Sequence, residues 1–189
     1  MPVDSQSSGN PDHPGPAWVV RPARAGDVKT IHRIYSHHVM HGLASFEERA
    51  PSLAEMRRRF GAIQRGGFPY LVAAQGARVG GYAYASPYRT RSAYQYSVEN
   101  SVYIDEELRA QGIGGVLMAE LIVLCEARGF RQMVAVIGDS ANHASIRLHA
   151  AHGFAQVGML PSVGFKFGRW VDSVIMQRAL GEGDRTLPE

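Results

Sequence analysis

The segment Arg109-Ala-Gln-Gly-Ile-Gly-Gly115 lies between a short apolar stretch, Val102-Tyr-Ile104, and an apolar run from Val116 to Cys125. This pattern predicts a strand, a glycine-rich turn and a helix. Glycine lets the backbone approach a ligand closely and adopt φ values that a Cβ atom disfavours. The N-terminus of the following helix presents unpaired N–H groups and a partial positive charge, which together favour phosphate. The segment therefore predicts a pyrophosphate-binding loop.

The loop lacks the residues of two commoner nucleotide-binding motifs. A P-loop has Lys and then Ser or Thr after its last glycine, and no Lys follows these glycines. A dinucleotide-binding turn has the form Gly-x-Gly-x-x-Gly, and the third glycine is missing after Gly114. An ordinary surface turn before a helix is the alternative interpretation of the loop.

A second segment, Asn142-His-Ala-Ser-Ile-Arg-Leu-His149-Ala-Ala-His-Gly153-Phe154, predicts one helix with well-defined ends. Asn is a good N-cap residue, because its side chain accepts a hydrogen bond from an N–H of the first turn. Glycine often follows the last turn of a helix, because it adopts the left-handed conformation without strain. We therefore expect a helix between Asn142 and Gly153.

Both segments resemble, in order and spacing, the conserved blocks of the GNAT acetyltransferase superfamily. Arg109, Gly112 and Gly114 match its coenzyme A loop, Arg/Gln-x-x-Gly-x-Gly, and the second segment matches the helix beside the cofactor. From about Val20 to Leu180 the chain resembles the phosphinothricin acetyltransferase branch, which includes enzymes acetylating methionine sulfoximine and methionine sulfone. The segments that carry this likeness are Ser45-Phe-Glu-Glu, Tyr82-Ala-Tyr-Ala-Ser-Pro-Tyr, Ser97-Val-Glu-Asn-Ser-Val-Tyr-Ile, Val134-Ala-Val-Ile-Gly-Asp and Val163-Gly-Phe-Lys-Phe-Gly-Arg-Trp-Val-Asp.

The local patterns predict the element order βααβββαβαββ, and the resemblance implies the α/β GNAT fold, a mixed and strongly twisted sheet with helices on both faces. Asp27 is expected to cap the first helix, and Pro51 to lie in the first turn of the second. Strands are expected at 18–22, on both sides of Gln75-Gly76, at 98–104, at 133–137 with both faces covered, at 155–159 and at 171–179. A disordered tail (1–16), one domain (17–181) and a C-terminal tail (182–189) complete the prediction.

Composition favours an ordinary globular domain. The 189 residues are 45% hydrophobic and 20% charged with a net charge of +3, and no apolar stretch is long enough for a membrane helix. The basic residues are scattered, so nucleic acid is not an expected partner. The single cysteine, Cys125, lies in an apolar helical pattern and is expected to be a buried thiol. The absence of a signal-peptide pattern suggests a cytoplasmic protein.

The resemblance implies acetyl-CoA as the co-substrate and two candidate catalytic residues. Glu99 matches the family's acid that accepts the proton of the amine, and the alternative is an exposed glutamate without a role. His149 stands where most GNAT enzymes have a Tyr, and it is either an acid or base or a packed helix histidine. The residues expected to bind the cofactor are Val102, Tyr103, Ile104, Arg109, Ala110, Gln111, Gly112, Ile113, Gly114, Gly115, Asn142 and Ser145.

Substrate-binding residues are expected on the loops around Glu99. The guanidinium groups of Arg89 and Arg91 match carboxylates and phosphinates, and a solvated basic loop is the alternative. Lys166 is expected to add a charge from a late loop. Phe46 and Tyr84 are expected to wall the pocket together with Tyr103 and Tyr88, and a core position is the alternative for each aromatic residue. The histidines at 37, 38 and 41 are expected to form a solvent-exposed helix face rather than a metal site, since no acidic residue nearby completes a ligand set.

These expectations converge on an acetyl-CoA-dependent N-acetyltransferase that acts on the α-amine of a small amino-acid analogue by direct attack. Phosphinothricin, methionine sulfoximine and methionine sulfone represent the substrate type, and related enzymes are homodimers. The alternatives are an acetyltransferase for protein N-termini or another amine, and a non-catalytic acetyl-CoA sensor. A sensor would not need both Glu99 and His149.

Overall fold

The computed structural model describes residues 17–188, so the predicted disordered tail at 1–16 lies outside the described residues. The helices and strands follow in the order βααβββαβαββ that the sequence predicts. The strands are β1 (Val19–Pro22), β2 (Tyr70–Gln75), β3 (Arg78–Pro87), β4 (Ser97–Ile104), β5 (Gln132–Gly138), β6 (Ala155–Lys166) and β7 (Arg169–Ala179). The helices are α1 (Val28–His41), α2 (Leu53–Arg65), α3 (Ile113–Glu126) and α4 (His143–Ala151).

The strands form one mixed sheet of seven strands in the order β1-β2-β3-β4-β5-β7-β6. β4 and β5 are parallel neighbours, and all other neighbouring pairs are antiparallel. The β4–β5 pairing covers three residue pairs and ends with Glu99 opposite Val134. Residues 100–104 of β4 therefore continue along an edge from which β5 has diverged. This opening in the middle of the sheet positions the candidate site.

Helices cover both faces of the sheet, as the resemblance implies. On one face, Ile31 of α1 and Phe60 of α2 belong to a buried cluster with Tyr82 of β3. On the other face, Leu117 and Leu121 of α3 belong to a second cluster that includes buried residues of β2 to β5 and β7. Since α4 contacts β5 and β6, its N-terminus lies beside the opening. Two apolar layers thus pack against opposite faces of the sheet.

The starts of α1 and α2 differ in detail from the sequence prediction. α2 begins at Leu53 because Ser52 is its N-cap and accepts a hydrogen bond from the Glu55 N–H at 3.2 Å, so Pro51 lies before the helix. The Asp27 carboxylate accepts from the Arg24 N–H at 2.7 Å. It thereby closes a capping box around a short 3-10 turn. Asp27 is also the N-cap residue of α1, as predicted, but its side chain makes no cap hydrogen bond to that helix.

Two segments near the end of the chain add detail to the prediction. β6 continues past Met159 to Lys166, because its pairing with β7 resumes after two irregularities. The described part of the C-terminal tail folds back on the domain. The Arg131 guanidinium donates to Thr186 Oγ1 at 3.1 Å and to the Leu187 carbonyl at 3.2 Å.

Strand β5 is not covered uniformly on both faces. Met133, Val134, Ala135 and Ile137 are buried, as the apolar run predicts, but Val136 is 37% exposed. Val136 lines a cavity at the opening between β4 and β5, which explains its exposure. Within residues 17–188, no helix combines the length and the apolar character needed to cross a bilayer.

Candidate active site

The glycine-rich loop 109–115 enters α3 through a left-handed turn. Gly112 is the N-cap of α3 with φ +77°, and Ala110 also has a positive φ of 62°. A Cβ atom on Gly114 would lie 3.2 Å from the Leu148 side chain of α4, so this glycine lets the two helix N-termini approach each other. The loop thus needs Gly112 for its backbone conformation and Gly114 for close packing.

A groove of about 760 Å³ runs along this loop and the free edge of β4. Its walls include the first turn of α3, and the N–H groups of a helix's first turn have no partner within the helix. The predicted cofactor residues that line it are Val102, Tyr103, Ile104, Arg109, Ala110, Gly112, Ile113, Gly114, Gly115, Asn142 and Ser145. Gln111, the remaining one, is exposed on the same loop. The shape and the donors of this groove fit the pyrophosphate and pantetheine of acetyl-CoA.

The groove also contains residues that the sequence prediction missed. Arg147, on the exposed side of α4, adds a second cation to that of Arg109. His38 and His41 of α1 lie on the opposite wall. Arg147 could have been predicted from the sequence, because it lies five residues after the N-cap of α4, a helix that the resemblance already places beside the cofactor. The two histidines offered no comparable signal.

His38 occupies part of the β4 edge that was expected to pair with the cofactor. Its Nε2–H donates to the Ile104 carbonyl at 2.8 Å, and burial lowers the pKa of the ring. The prediction of a solvent-exposed histidine face is therefore wrong for His38, whose ring is half-buried and held by a hydrogen bond to the Ile104 carbonyl. Among residues 17–188, no group of three or more histidine, cysteine or acidic side chains has the geometry of a metal site.

A smaller cavity of about 190 Å³ adjoins the groove at the apex of the opening. Val102, Tyr103, Asn142 and Ser145 line both spaces, so the two are adjacent. The residues that line only the smaller cavity include both predicted catalytic residues, Glu99 and His149, and the predicted wall residue Phe46. The structure thus brings the three together from β4, α4 and the loop between α1 and α2.

Glu99 lies at the last paired position of β4, where the strands separate. Its carboxyl group is partly buried, and this burial raises the pKa of Glu99 above its ordinary value. The positive charge of Arg89 acts in the opposite direction. A carboxylate with a raised pKa that faces a cavity is suited to accept a proton from a bound amine.

His149 is buried in the same cavity wall, with both ring nitrogens in contact with protein atoms. Nδ1 lies 2.8 Å from the Ser145 carbonyl oxygen, and Nε2 lies 3.0 Å from Asn100 Oδ1. The Phe154 ring packs edge-on against the imidazole, with 5.0 Å between the ring centroids. Burial lowers the pKa of His149, and its contact with the Ser145 carbonyl opposes this effect.

Phe46 and Tyr84 have different surroundings. The Phe46 ring lies directly over Gly164 of β6, where an added Cβ would lie 2.3 Å from a ring carbon. Tyr84 belongs to an aromatic stack on the α1 and α2 face, with its ring centroid 5.0 Å from that of Tyr70. It is not among the residues that line either cavity in the described chain. Its pKa is raised by burial, and the nearby Glu99 charge raises it further.

Arg89 and Arg91 lie on the exposed loop between β3 and β4, outside both cavities. The Arg89 guanidinium lies 4.2 Å from the centre of the Tyr88 ring and donates to the Tyr88 carbonyl at 2.9 Å. Arg91 precedes the short 3-10 turn Ser92–Tyr94. Of the two, Arg89 has an electrostatic link to the site, through its effect on the pKa of Glu99.

Lys166 does not lie in a loop and does not reach the cavity. It ends β6, it is 1% exposed, and its Nζ donates to the Gly42 carbonyl at 2.9 Å and the Ser45 carbonyl at 2.7 Å. Burial lowers the pKa of this ammonium group. Lys166 therefore does not line the predicted substrate site. Its hydrogen bonds to the Gly42 and Ser45 carbonyls stabilise the segment that carries Phe46.

Cys125 is fully buried in α3, as the sequence predicts. Burial raises the pKa of its thiol to about 12, so the reactive thiolate is not formed at neutral pH. It lines neither cavity.

The chain matches the family model described as "Acetyltransferase (GNAT) domain" over residues 20–175. It is 49% identical to a phosphinothricin N-acetyltransferase from Alcaligenes faecalis, over the full length of both chains. It is 37% identical to an L-methionine sulfoximine/L-methionine sulfone acetyltransferase from Salmonella typhimurium, with 86% of this chain and 95% of that protein covered. A GNAT superfamily phosphinothricin acetyltransferase from Sinorhizobium meliloti, solved in complex with AcCoA, superposes with a TM-score of 0.88 at 48% identity, over 91% of this chain and 93% of that chain.

Proposed function

The chain belongs to the GNAT family of acetyl-CoA-dependent N-acetyltransferases, and we propose that its acceptor is the α-amine of a small amino-acid analogue of the phosphinothricin or methionine sulfoximine type. The observation that carries this proposal is the position of Glu99. Its carboxyl group lines a small cavity at the point where β4 and β5 separate, and that cavity adjoins the groove of the glycine-rich loop. A cavity of about 190 Å³ suits a small amine rather than a peptide.

Glu99 is proposed to prepare the amine for attack. An amino acid reaches the enzyme as an ammonium, which has no lone pair and cannot attack a thioester. Glu99 takes this proton, directly or through a water molecule, and the free amine then forms the amide bond as the thiol leaves. Acetyl-CoA supplies the activated acetyl group. The thiol of Cys125 is buried, neutral and outside both cavities, so it is not suited to carry the acetyl group.

The acidic groups of the substrate are proposed to meet the exposed loop between β3 and β4. Arg89 has its guanidinium on the Tyr88 ring, and its positive charge lowers the pKa of Glu99. Arg91 is exposed on the same loop. A planar guanidinium binds a carboxylate or phosphinate through paired hydrogen bonds.

The direct test is the release of thiol from acetyl-CoA with phosphinothricin, methionine sulfoximine, methionine sulfone and the common amino acids in parallel. A high kcat/KM for a phosphinate-like or sulfoximine-like acceptor is the expected result. Acetyl-CoA binding without turnover on this panel, followed by acetylation of a peptide N-terminus, would overturn the substrate assignment. Binding with no acceptor at all would favour a sensor. Growth of a sensitive host on phosphinothricin tests whether the activity confers resistance, and cell fractionation tests the predicted cytoplasmic location.

A homodimer is proposed from the surface of β6 and β7. β6 is an edge strand of the sheet, and it presents apolar side chains, with Val163 54%, Phe165 55% and Trp170 of β7 66% exposed. Clusters of large exposed apolar side chains mark interaction surfaces, and an edge strand offers unpaired backbone groups to a second copy. Light scattering after size-exclusion chromatography is expected to give twice the chain mass. Phe165→Asp is expected to give a folded monomer, and a monomeric wild-type protein would refute the proposal.

A further inference from the structure

Two buried side chains form a continuous row of polar contacts across the opening in the sheet. The row begins at the Ser145 carbonyl, passes through His149 and Asn100, and ends at the Val134 carbonyl. Its three contacts measure 2.8 Å from the Ser145 carbonyl to Nδ1, 3.0 Å from Nε2 to Asn100 Oδ1, and 3.2 Å from Asn100 Nδ2 to the Val134 carbonyl. His149 is 4% and Asn100 6% exposed, so water has little access to either side chain.

The three contacts need one hydrogen more than the Asn100 amide and a neutral imidazole supply together. Both ends are carbonyl oxygens, which only accept, so three contacts require three hydrogens from the two side chains between them. An amide that presents its oxygen to one neighbour and its nitrogen to the other supplies one hydrogen, in either orientation. A neutral imidazole supplies one more, in either tautomer. One contact therefore sets two acceptors against each other unless His149 is protonated, when all three contacts have a hydrogen.

We propose that Asn100 is a positioning residue: its side-chain oxygen holds the facing ring nitrogen of His149 as an N–H donor and favours the protonated ring, so that His149 is a fixed part of the cavity wall and not the base. The bond from Asn100 Nδ2 to Val134 sets the orientation of the amide, because it turns Oδ1 toward the ring. The same bond spans the first position at which β4 and β5 no longer pair.

Other groups around the ring act in both directions. The pKa of His149 lies below its ordinary value, because burial and the charge of His152, at the C-terminal end of α4, lower it more than the Ser145 carbonyl raises it. Ser145 Oγ lies 3.4 Å from Nδ1, and the ring of Phe154, just before β6, packs edge-on against the imidazole. Glu99 lines the same cavity. The contact with Asn100 Oδ1 favours the charged ring and so raises the pKa of His149, and a substitution of Asn100 can remove this effect.

The consequence for catalysis rests on the proposed function, in which Glu99 takes the proton. Both nitrogens of His149 are directed at protein oxygens, so exchange of a proton with a ligand would require one of these contacts to break. Glu99, which lines the same cavity, therefore remains the group that takes the proton.

The experiment is a titration of the His149 ring by heteronuclear NMR in the full chain, with the signal assigned by its loss in His149→Gln. In Asn100→Leu, the ring midpoint is expected to fall by about one pKa unit or more, since a buried hydrogen bond to the charged form is lost. In Asn100→Asp, it is expected to rise, because a carboxylate then faces the ring. The amide spectrum reports whether each variant is folded, and either variant alone tests the direction.

An unchanged or higher midpoint in Asn100→Leu, or a lower one in Asn100→Asp, would overturn the proposal. These titrations need no substrate, so they decide it even if the acceptor is not of the proposed type. The ring midpoint also separates a positioning role from a purely structural one, because a folded but merely destabilised protein would keep the midpoint of His149 unchanged.

Discussion

Replacing Glu99 with Gln tests the central assignment, because Gln has nearly the same shape and cannot take a proton from an ammonium. Removal of a general base costs about 100- to 10,000-fold in rate. We expect kcat at saturating substrate to fall within this range. KM for acetyl-CoA is expected to change little, since the groove along the glycine-rich loop lies beyond the small cavity that Glu99 faces. The assay is thiol release at saturating concentrations of both substrates.

The pH dependence of the wild-type enzyme follows from the surroundings of Glu99. Burial raises its pKa, so the free enzyme is expected to lose kcat/KM as the pH falls through a value above that of an ordinary glutamate. Below this pH the carboxyl group is protonated and cannot act as a base. The acid limb is expected to be absent from the residual activity of Glu99→Gln. A variant with near-normal kcat, or with an unchanged acid limb, would refute the assignment.

The stability of the same variant provides an independent check. The pKa of Glu99 is raised in the folded chain, so its ionised form costs stability at neutral pH, and this cost disappears as the pH falls below the pKa of the unfolded chain. Gln carries no charge at any pH. We therefore expect Glu99→Gln to be at least as stable as the wild type at pH 7, with the difference shrinking in acid. Thermal unfolding at several pH values measures it.

Two further substitutions probe the surroundings of the cavity. Arg89→Gln removes the positive charge that lowers the pKa of Glu99, so the acid limb of kcat/KM is expected to move to higher pH. An unchanged acid limb would show that Arg89 does not influence the pKa of the base. Gly164→Ala places a methyl group where the Phe46 ring now lies, so Phe46 is expected to leave the cavity wall and KM for the amine to rise several-fold. Gly158→Ala on the same strand is the matched control, since a Cβ there meets nothing within 4 Å, and an equal effect of both substitutions would contradict this reasoning.

Part of the site could be predicted because its signals are local in the sequence. The left-handed N-cap at Gly112 and the helix between Asn142 and Gly153 follow from conformational preferences and capping within a few residues. Glu99 and His149 were assigned by the resemblance of their segments. The structure brings both to one cavity.

Other contacts could not be predicted because they join residues far apart in the chain. Lys166 shows this most clearly: as a cation in a glycine-rich segment it suggested a ligand for an anion, but it ends a strand under the Gly42 and Ser45 carbonyls. Asn100 gave no signal of its own. Its contact with His149, across 49 residues, exists only because β4 and α4 meet at the opening in the sheet.

The sequence by itself determined the order of helices and strands, the glycine-rich loop and the chemical groups available for acetyl transfer. It could do so because periodicity, capping and backbone preferences act between residues that are close along the chain. Only the tertiary structure decided where β4 and β5 separate, which polar groups are buried there and which of them face one another. These properties depend on the packing of distant segments, and burial in that packing sets the pKa values of Glu99 and His149.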